Sequence, residues 1–328
     1  MTGSSPIRRP MVLAFLTLPS CLPACGDPTG GPGREPAGRE EVPPGVIALR
    51  DLEYARIDGR PLKLDLYLPP AGNTPAPVIV WIHGGAWRAG NKNRCRALYL
   101  ASDGFAVASI QYRLSTEAIF PAQIHDCKAA IRFLRARAAG FGLDPTRIGV
   151  WGGSAGGHLA ALLGTTGGMA GLEGDVGGHT AQSSRVQAVV DFCGPSLLAE
   201  DQLGHVRPER ADQARGAVEA LLGGDPREKQ ALARLASPAL HASPDDAPFL
   251  IVHGRQDPLV PLRQSEILAE ALRAAGVPVC LHVLEDQGHG IPLDDDLRER
   301  IRAFFRSHLR GPASAPVPAP APATATEH

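Results

Sequence analysis

The 328-residue chain carries a net charge of −1, with 44% hydrophobic and 20% charged residues. That composition suits a globular protein with one large α/β domain or two small ones, and its charge balance gives no electrostatic case for binding nucleic acid or an anionic membrane surface. Glycine (37) and proline (31) are abundant, and much of the proline lies near the two ends, which assigns the excess to tails rather than to a core.

Residues 1–25 read as an export signal: Arg8 and Arg9 form a basic start, Met11 to Leu18 an apolar run too short to span a membrane as a mature helix, and small residues precede cysteines. Leu22-Pro23-Ala24-Cys25 resembles a bacterial lipobox, with Pro23 where a small or aliphatic residue is usual. Cys25 is therefore the expected lipidated residue, with Cys21 after Leu18-Pro19-Ser20 as its rival. The expected location is outside the cytoplasm, on a bacterial membrane through the lipid anchor alone; an ordinary secretory signal, giving a periplasmic or secreted protein, is the alternative. Residues 26–45 have almost no apolar content and read as a flexible tether, and 311–328 as a disordered Pro/Ala tail. The folded part is expected over 46–310.

Within it, Ile47–Ile57 and Leu62–Leu68 read as strands around an Asp58-Gly59 hairpin turn. Val78–Ile82, Phe105–Tyr112, Ile148–Trp151, Val186–Phe192, Phe249–His253 and Val279–Leu284 are short apolar runs, as expected of strands covered on both faces. Helices are expected at Arg94–Ser102, Pro121–Ala139, after Ser154, and at Leu262–Ala275 and Leu297–Leu309. Strands alternating with helices predict a mostly parallel sheet with helices on both faces. Residues 164–185 are glycine-rich and read as loop; residues 196–247, with helical stretches near Ala214–Leu222 and Arg227–Leu235, are long enough to be a cap over a site.

The chemistry centres on Arg147-Ile148-Gly149-Val150-Trp151-Gly152-Gly153-Ser154-Ala155-Gly156-Gly157-His158. A strand, G-x-S-x-G and an apolar helix follow in the order a nucleophile elbow needs: the serine sits on a sharp, strained turn among small neighbours, and the Ala155 amide lies at a helix N-terminus facing developing negative charge. A nucleophilic serine requires a base and an acid that orients it. His289, in Asp286-Gln287-Gly288-His289-Gly290 after the last apolar strand, is the candidate base. Asp257, after the strand ending at His253, is the candidate acid, with Glu285 and Asp286 as rivals too near His289 in sequence to aim easily at its ring. The oxyanion donors are expected from the amides of Gly84, Gly85 and Ala155, with His83 bracing the loop. Trp87 lines the substrate pocket or packs in the core; His158 is structural rather than catalytic. No His-Glu-x-x-His or Cys-x-x-Cys spacing marks a metal site in the folded part.

Together these motifs, with Tyr112-Arg113-Leu114, Phe120-Pro121-Ala122, Asp144-Pro145-Thr146-Arg147 and His253-Gly254-Arg255-Gln256-Asp257, make the chain from about Leu52 to Leu309 resemble the α/β-hydrolase fold. More narrowly it resembles esterases with an HGG oxyanion motif: those related to hormone-sensitive lipase, and bacterial feruloyl and acetyl-xylan esterases. Ala86 stands where the hormone-sensitive lipase branch usually has a third glycine. The resemblance implies an eight-stranded sheet, no cofactor, and a serine carboxylic-ester hydrolase acting on small-molecule or carbohydrate esters.

Two other readings compete: a peptidase of the prolyl-oligopeptidase kind, which shares fold and triad order but usually carries a propeller domain, and a non-catalytic surface lipoprotein on the same scaffold. Charged residues in the cap (Glu200, Asp201, Arg207, Glu209, Arg210 and Asp212) and an aromatic content of only 5% predict a short acyl pocket rather than a lipid tunnel. Cys95, Cys127, Cys193 and Cys280 are expected to stay unpaired as buried thiols, because the implied topology keeps them apart.

Overall fold

The computed structural model describes residues 39–70, 75–198 and 208–310. The export signal with Cys21 and Cys25, most of the 26–45 tether and the 311–328 tail lie outside the described residues. None of the described helices is long and apolar enough to cross a membrane.

Eight strands form one sheet: β1 (Ile47–Ile57), β2 (Arg60–Leu68), β3 (Ala76–Ile82), β4 (Ala106–Ile110), β5 (Leu143–Gly153), β6 (Ala188–Phe192), β7 (Phe249–Gly254) and β8 (Val279–Leu284). Their spatial order is β1-β2-β4-β3-β5-β6-β7-β8. β2 runs antiparallel to both β1 and β4, and every other pairing is parallel. The β1–β2 turn has Asp58 at φ 47° and Gly59 at φ 80°, the left-handed pair that the Asp-Gly hairpin signal requires.

One face of the sheet is covered by α1 (Ala122–Ala136), α3 (Ala155–Thr165) and α7 (Leu262–Ala274), with Ile124, Ile131, Leu159, Leu163 and Leu268 buried against Val78, Val80, Ile148 and Ile251. The other is covered by a 3-10 turn, Leu98–Asp103, and by α8 (Asp295–Leu309), whose Ile301, Phe305 and Leu309 meet Ile79, Trp151 and Val190. This two-sided burial accounts for the unbroken apolar runs of β3 and β6.

The expected helix over Arg94–Ser102 is reduced to that 3-10 turn. At its start a side chain already claims a carbonyl the helix would use, Trp81 Nε1 donating to Arg94 O at 2.8 Å, and just before it Ser109 Oγ pins the chain at Lys92 O, 2.7 Å away. Lys92 itself is drawn under the sheet to Asp65, 2.6 Å away. Residues 164–185 contain one short helix, α4 (Ala170–Glu173), and Glu173 ties the loop to Lys128 of α1 at 2.8 Å and to Arg132 of α1 at 3.1 Å. A second short helix, α2 (Ala138–Phe141), joins α1 to β5.

β3 sends its chain to one side, into β4, while its neighbour β5 sends its chain to the other, into β6. The carboxyl ends of β3 and β5 therefore bound the crevice where open α/β sheets bind ligands.

Candidate active site

Ser154 follows β5 directly and opens α3, with φ 55° and ψ −121°. Such a conformation is strained for a residue with a side chain, and its surroundings hold it: Ser154 N–H donates to Phe192 O at 2.7 Å, and Ser154 O accepts from His158 N at 3.0 Å. The sharp turn brings the chain back over itself, and a Cβ on Gly152 would collide with the Gly156 carbonyl. That close approach explains why the motif is built from small residues.

Three residues distant in sequence converge here. His289 Nε2 lies 2.9 Å from Ser154 Oγ, and His289 Nδ1 lies 2.7 Å from Asp257 Oδ2. The carboxylate fixes the tautomer: Nδ1 carries the proton, leaving Nε2 free to accept from the serine. The side chain of Asp257 is fully buried. Its other oxygen accepts the amides of Leu259 at 2.8 Å and Val260 at 2.9 Å. Burial alone would raise its pKa, but the hydrogen bonds from His253 and His289 outweigh it and hold the carboxyl well below the usual carboxylate range. The rival Glu285 is exposed and paired with Arg255 instead.

His253 is a participant that the sequence motif did not reveal as such. It is fully buried, its Nε2 faces two acceptors, Val260 O at 2.9 Å and Asp257 Oδ2 at 3.3 Å, and its Nδ1 lies 2.6 Å from Ser265 Oγ. With two acceptors on one side, Nε2 must carry the proton and Nδ1 must accept from Ser265. His253 thus donates to the same carboxylate oxygen that receives His289.

The β3 loop crosses in front of the elbow. Gly84 packs beneath it, where a Cβ would stand 2.6 Å from Gly153 O. The first three carbonyls of this loop are engaged: His83 O accepts from Tyr112 Oη at 3.0 Å, Gly84 O from His83 Nδ1 at 2.9 Å, and Gly85 O from the amides of Arg88 and Ala89, both at 3.0 Å. Each planar peptide directs its N–H opposite to its own carbonyl. The ring of His83 also stacks on Tyr112, centroids 4.3 Å apart, so the expected bracing role of His83 has a physical basis. Ala86 and Trp87 follow with left-handed φ of 54° and 56°.

A cavity of about 100 Å³ opens beside Ser154 and His289, with Ala86, Trp87 and Ala155 on one wall. Its roof is α5 (Pro208–Leu222) in the cap segment, through Gln213, Ala214, Ala217 and Val218. Two further short elements follow, α6 (Gln230–Leu235) and a 3-10 turn at Pro238–Leu240. The cap therefore covers the site, but contrary to expectation none of its charges among the described residues lines the cavity. Arg210 and Asp212 are exposed, and Glu200, Asp201 and Arg207, with the side chain of Glu209, lie outside the described residues. The stripe turned inward is Ala214, Ala217, Val218 and Leu221, at helical spacing. A charged sequence segment here hides an apolar face.

Trp87 is both wall and strut. Its Nε1 donates to His158 Nδ1 at 3.2 Å, and His158 Nε2 donates to Ala236 O in the cap at 2.7 Å. His158 is fully buried, and burial pushes its pKa down to about 4. This neutral histidine joins the β3 loop, α3 and the cap, a structural role as expected.

All four cysteines of the domain are free. Cys95 and Cys127 sit in the cores on opposite faces of the sheet, and the strand β7 separates the positions of Cys193 and Cys280. Cys280 is exposed rather than buried, because edge strand β8 is covered by α7 on only part of its surface. Among the described residues one trio of metal-ligating atoms comes together, those of Cys193, Asp257 and His289.

Residues 64–272 match the family model BD-FAE. The chain is 33% identical over 229 residues to the probable carboxylic ester hydrolase LipM of Mycobacterium tuberculosis, a match covering 68% of this chain and 51% of that protein. A truncated carbohydrate esterase from gut microbiota superimposes with a TM-score of 0.73 at 34% identity, covering 83% of this chain and 99% of that one. The butyrate-bound Est2 esterase of Thermogutta terrifontis does so with a TM-score of 0.62 at 28% identity, covering 80% and 91%. The chain spans about half the length of the curated relatives it matches. With nearly two thirds of its length inside the family model and the strand order and site geometry described above, the chain belongs to the BD-FAE family of α/β-hydrolase-fold proteins.

Proposed function

We propose that this protein is a serine carboxylic-ester hydrolase acting through an acyl-enzyme on short-chain acyl esters. The observation that carries the reading is the hydrogen-bonded series Ser154–His289–Asp257 at the mouth of a small apolar cavity. Ser154 Oγ attacks the ester carbonyl as His289 Nε2 takes its proton; Asp257 holds the imidazole and stabilises the cation. The protonated His289 then gives its proton to the leaving alcohol, and water activated by the same nitrogen hydrolyses the acyl-enzyme.

The developing oxyanion is held by backbone amides. Ala86 and Ala155 line the cavity, whereas Gly84 is packed beneath the elbow, so the donors we assign are Gly85, Ala86 and Ala155. This assignment moves the hole one residue along from the expected Gly84 and Gly85. A cavity of about 100 Å³ is small beside the ~300–1,000 Å³ of drug-sized ligand sites, and it supports acetyl to butyryl groups better than long chains. The bulkier alcohol, a sugar or an aromatic group, would then lie outside it. The kinship with a protein named a carbohydrate esterase supports the sugar.

A fluorophosphonate probe should label the wild type and not Ser154→Ala. Ser154→Ala and His289→Ala should each lose on the order of 10³-fold or more in kcat while staying folded; near-normal rates in either would overturn the reading. A near-normal Asp257→Asn would transfer the acid role to Glu285 or Asp286. If kcat/KM on p-nitrophenyl esters climbs from acetate through to palmitate, the short-chain assignment fails. We further propose, from the sequence of residues 1–25, that Cys25 carries a lipid anchor: Cys25→Ser should release the protein from membranes, and release by Cys21→Ser instead would move the site.

A further inference from the structure

We propose that Cys193, Asp257 and His289 form an inhibitory binding site for zinc, one that switches the enzyme off by capturing its catalytic histidine. The site's consequence rests on the serine-hydrolase reading above; the binding itself does not.

One ligand atom from each of the three residues lies within 4.8 Å of the other two. A sulfur, an imidazole nitrogen and a carboxylate oxygen are the donors zinc takes, and the thiolate disfavours magnesium and calcium. Cys193 is built into position. It follows β6 with a left-handed φ of 46°, its amide donates to Val252 O at 2.9 Å, and its thiol points at the carbonyl of His289, 3.8 Å away. The proposed hydrolysis makes no use of this sulfur. His289 is the member with room to turn: its side chain is the partly exposed one of the three, and its neighbour Gly290 has open space around it.

Zinc binds these donors at ~2.0–2.3 Å, so tetrahedral partners stand roughly 3.2–3.6 Å apart. The Asp257–His289 contact of 2.7 Å must open by roughly 0.5–0.9 Å, and the widest pair, within 4.8 Å, must close by up to about 1.6 Å, which a rotation of His289 and of the Cys193 side chain can supply.

The chemistry balances with one proton released. Cys193 Sγ gives its proton to solvent and donates a lone pair to the metal. His289 exchanges its proton from Nδ1 to Nε2 through solvent, and Nδ1 donates its lone pair to the metal. Asp257 gives a carboxylate lone pair, and water fills the fourth position. Nε2 then carries a hydrogen and faces Ser154 as a donor, so the serine has no base. The acyl cavity keeps its walls. Zinc should therefore lower kcat and leave KM nearly unchanged.

The test is a zinc titration of the full chain hydrolysing p-nitrophenyl acetate, in buffered free zinc. Wild type should lose activity reversibly, regaining it with EDTA. Cys193→Ala should hydrolyse the ester normally and need at least about ten-fold more zinc for half-inhibition, the loss expected on removing one of three protein ligands. Cys280→Ser, removing the exposed thiol, should behave as wild type. Cys193→Gly, which suits the left-handed backbone, replaces Cys193→Ala if the latter does not fold. Cobalt(II) in place of zinc should give a thiolate charge-transfer band in wild type and Cys280→Ser that is missing from the Cys193 variant. Equal zinc sensitivity of the Cys193 variant, or an unchanged cobalt difference spectrum, overturns the proposal. Should no ester be hydrolysed by any form, it is the hydrolase reading that fails, and the cobalt spectra still decide the site.

Discussion

Asp257 receives four donors: two amides on one oxygen and two histidines on the other. The imidazole of His253 is the one member of that set whose removal leaves the serine, base and acid in place, so it tests whether the acid must be held as well as present. His253→Phe should lower kcat by about ten-fold with KM little changed, because a donor worth about 1.5 kcal/mol is lost from a buried carboxylate that must keep its aim at His289. His253→Gln, whose amide can still donate, should recover part of that loss. A loss in KM alone, or no rescue by glutamine, would make His253 merely part of the packing. Ser154, Asp257 and His289 were legible as a candidate triad because each sits beside glycine or at a strand end within a short motif. His253 and Cys193 were not, since what matters about them is how the chain folds back at the carboxyl ends of the strands: His253 onto the carboxylate of Asp257 four residues on, Cys193 against the carbonyl of His289. The oxyanion loop lay between these cases. His83-Gly84-Gly85 identified the segment, but which amides face the cavity depends on where each carbonyl finds its partner.

The cap shows how an element can mislead when read by composition. Its Arg210 and Asp212 are exposed, while Ala214, Ala217 and Val218 line the cavity and Leu221, at i+7 from Ala214, continues the same stripe into the core. The period, rather than the count of charged residues, carried the information. The same held in reverse for Arg94–Ser102, expected as a helix, where Trp81 had taken the carbonyl of Arg94 and Ser109 that of Lys92 just before it. With small residues at the roof, acyl length in the proposed esterase is set by what α5 leaves open. Ala217→Phe should fill most of the cavity of about 100 Å³. Its kcat/KM for p-nitrophenyl butyrate should then fall by about 10²-fold relative to acetate, given that one methylene too many in a closed apolar pocket is worth ~1–3 kcal/mol. An unchanged butyrate-to-acetate ratio would mean that the acyl group lies elsewhere and the cavity takes the alcohol.

At the scale of the whole molecule, strand count, sheet type and the two-sided core were legible from alternation alone, because a buried parallel sheet permits few other patterns. The polar groups buried among those layers were not, and they set how the fold responds to acid. His83 and His158 are buried, and burial lowers each pKa from an ordinary 6.5 to about 4. The unfolded chain therefore binds more protons than the native one between those values. Stability is full above pH 6.5 and is lost as pH falls toward 4. At 1.36 kcal/mol per unit, each histidine contributes on the order of 3 kcal/mol to that loss, a large part of the ~5–15 kcal/mol that holds a domain together. Asp191 on β6 works in the opposite direction. It is fully buried, with one oxygen accepting from Gly194 N at 2.9 Å, and burial raises its pKa from 3.8 to about 6, against that bond and the field of His253. Its native form binds the extra proton, so its contribution is present below pH 4 and disappears as pH rises through 6. Two variants separate these terms whatever their absolute stability. His158→Gln should flatten the fall in denaturant-derived stability between pH 6.5 and 4.5, and Asp191→Asn should steepen it. Slopes identical to wild type in both would mean that the acid response originates in the surface charges instead.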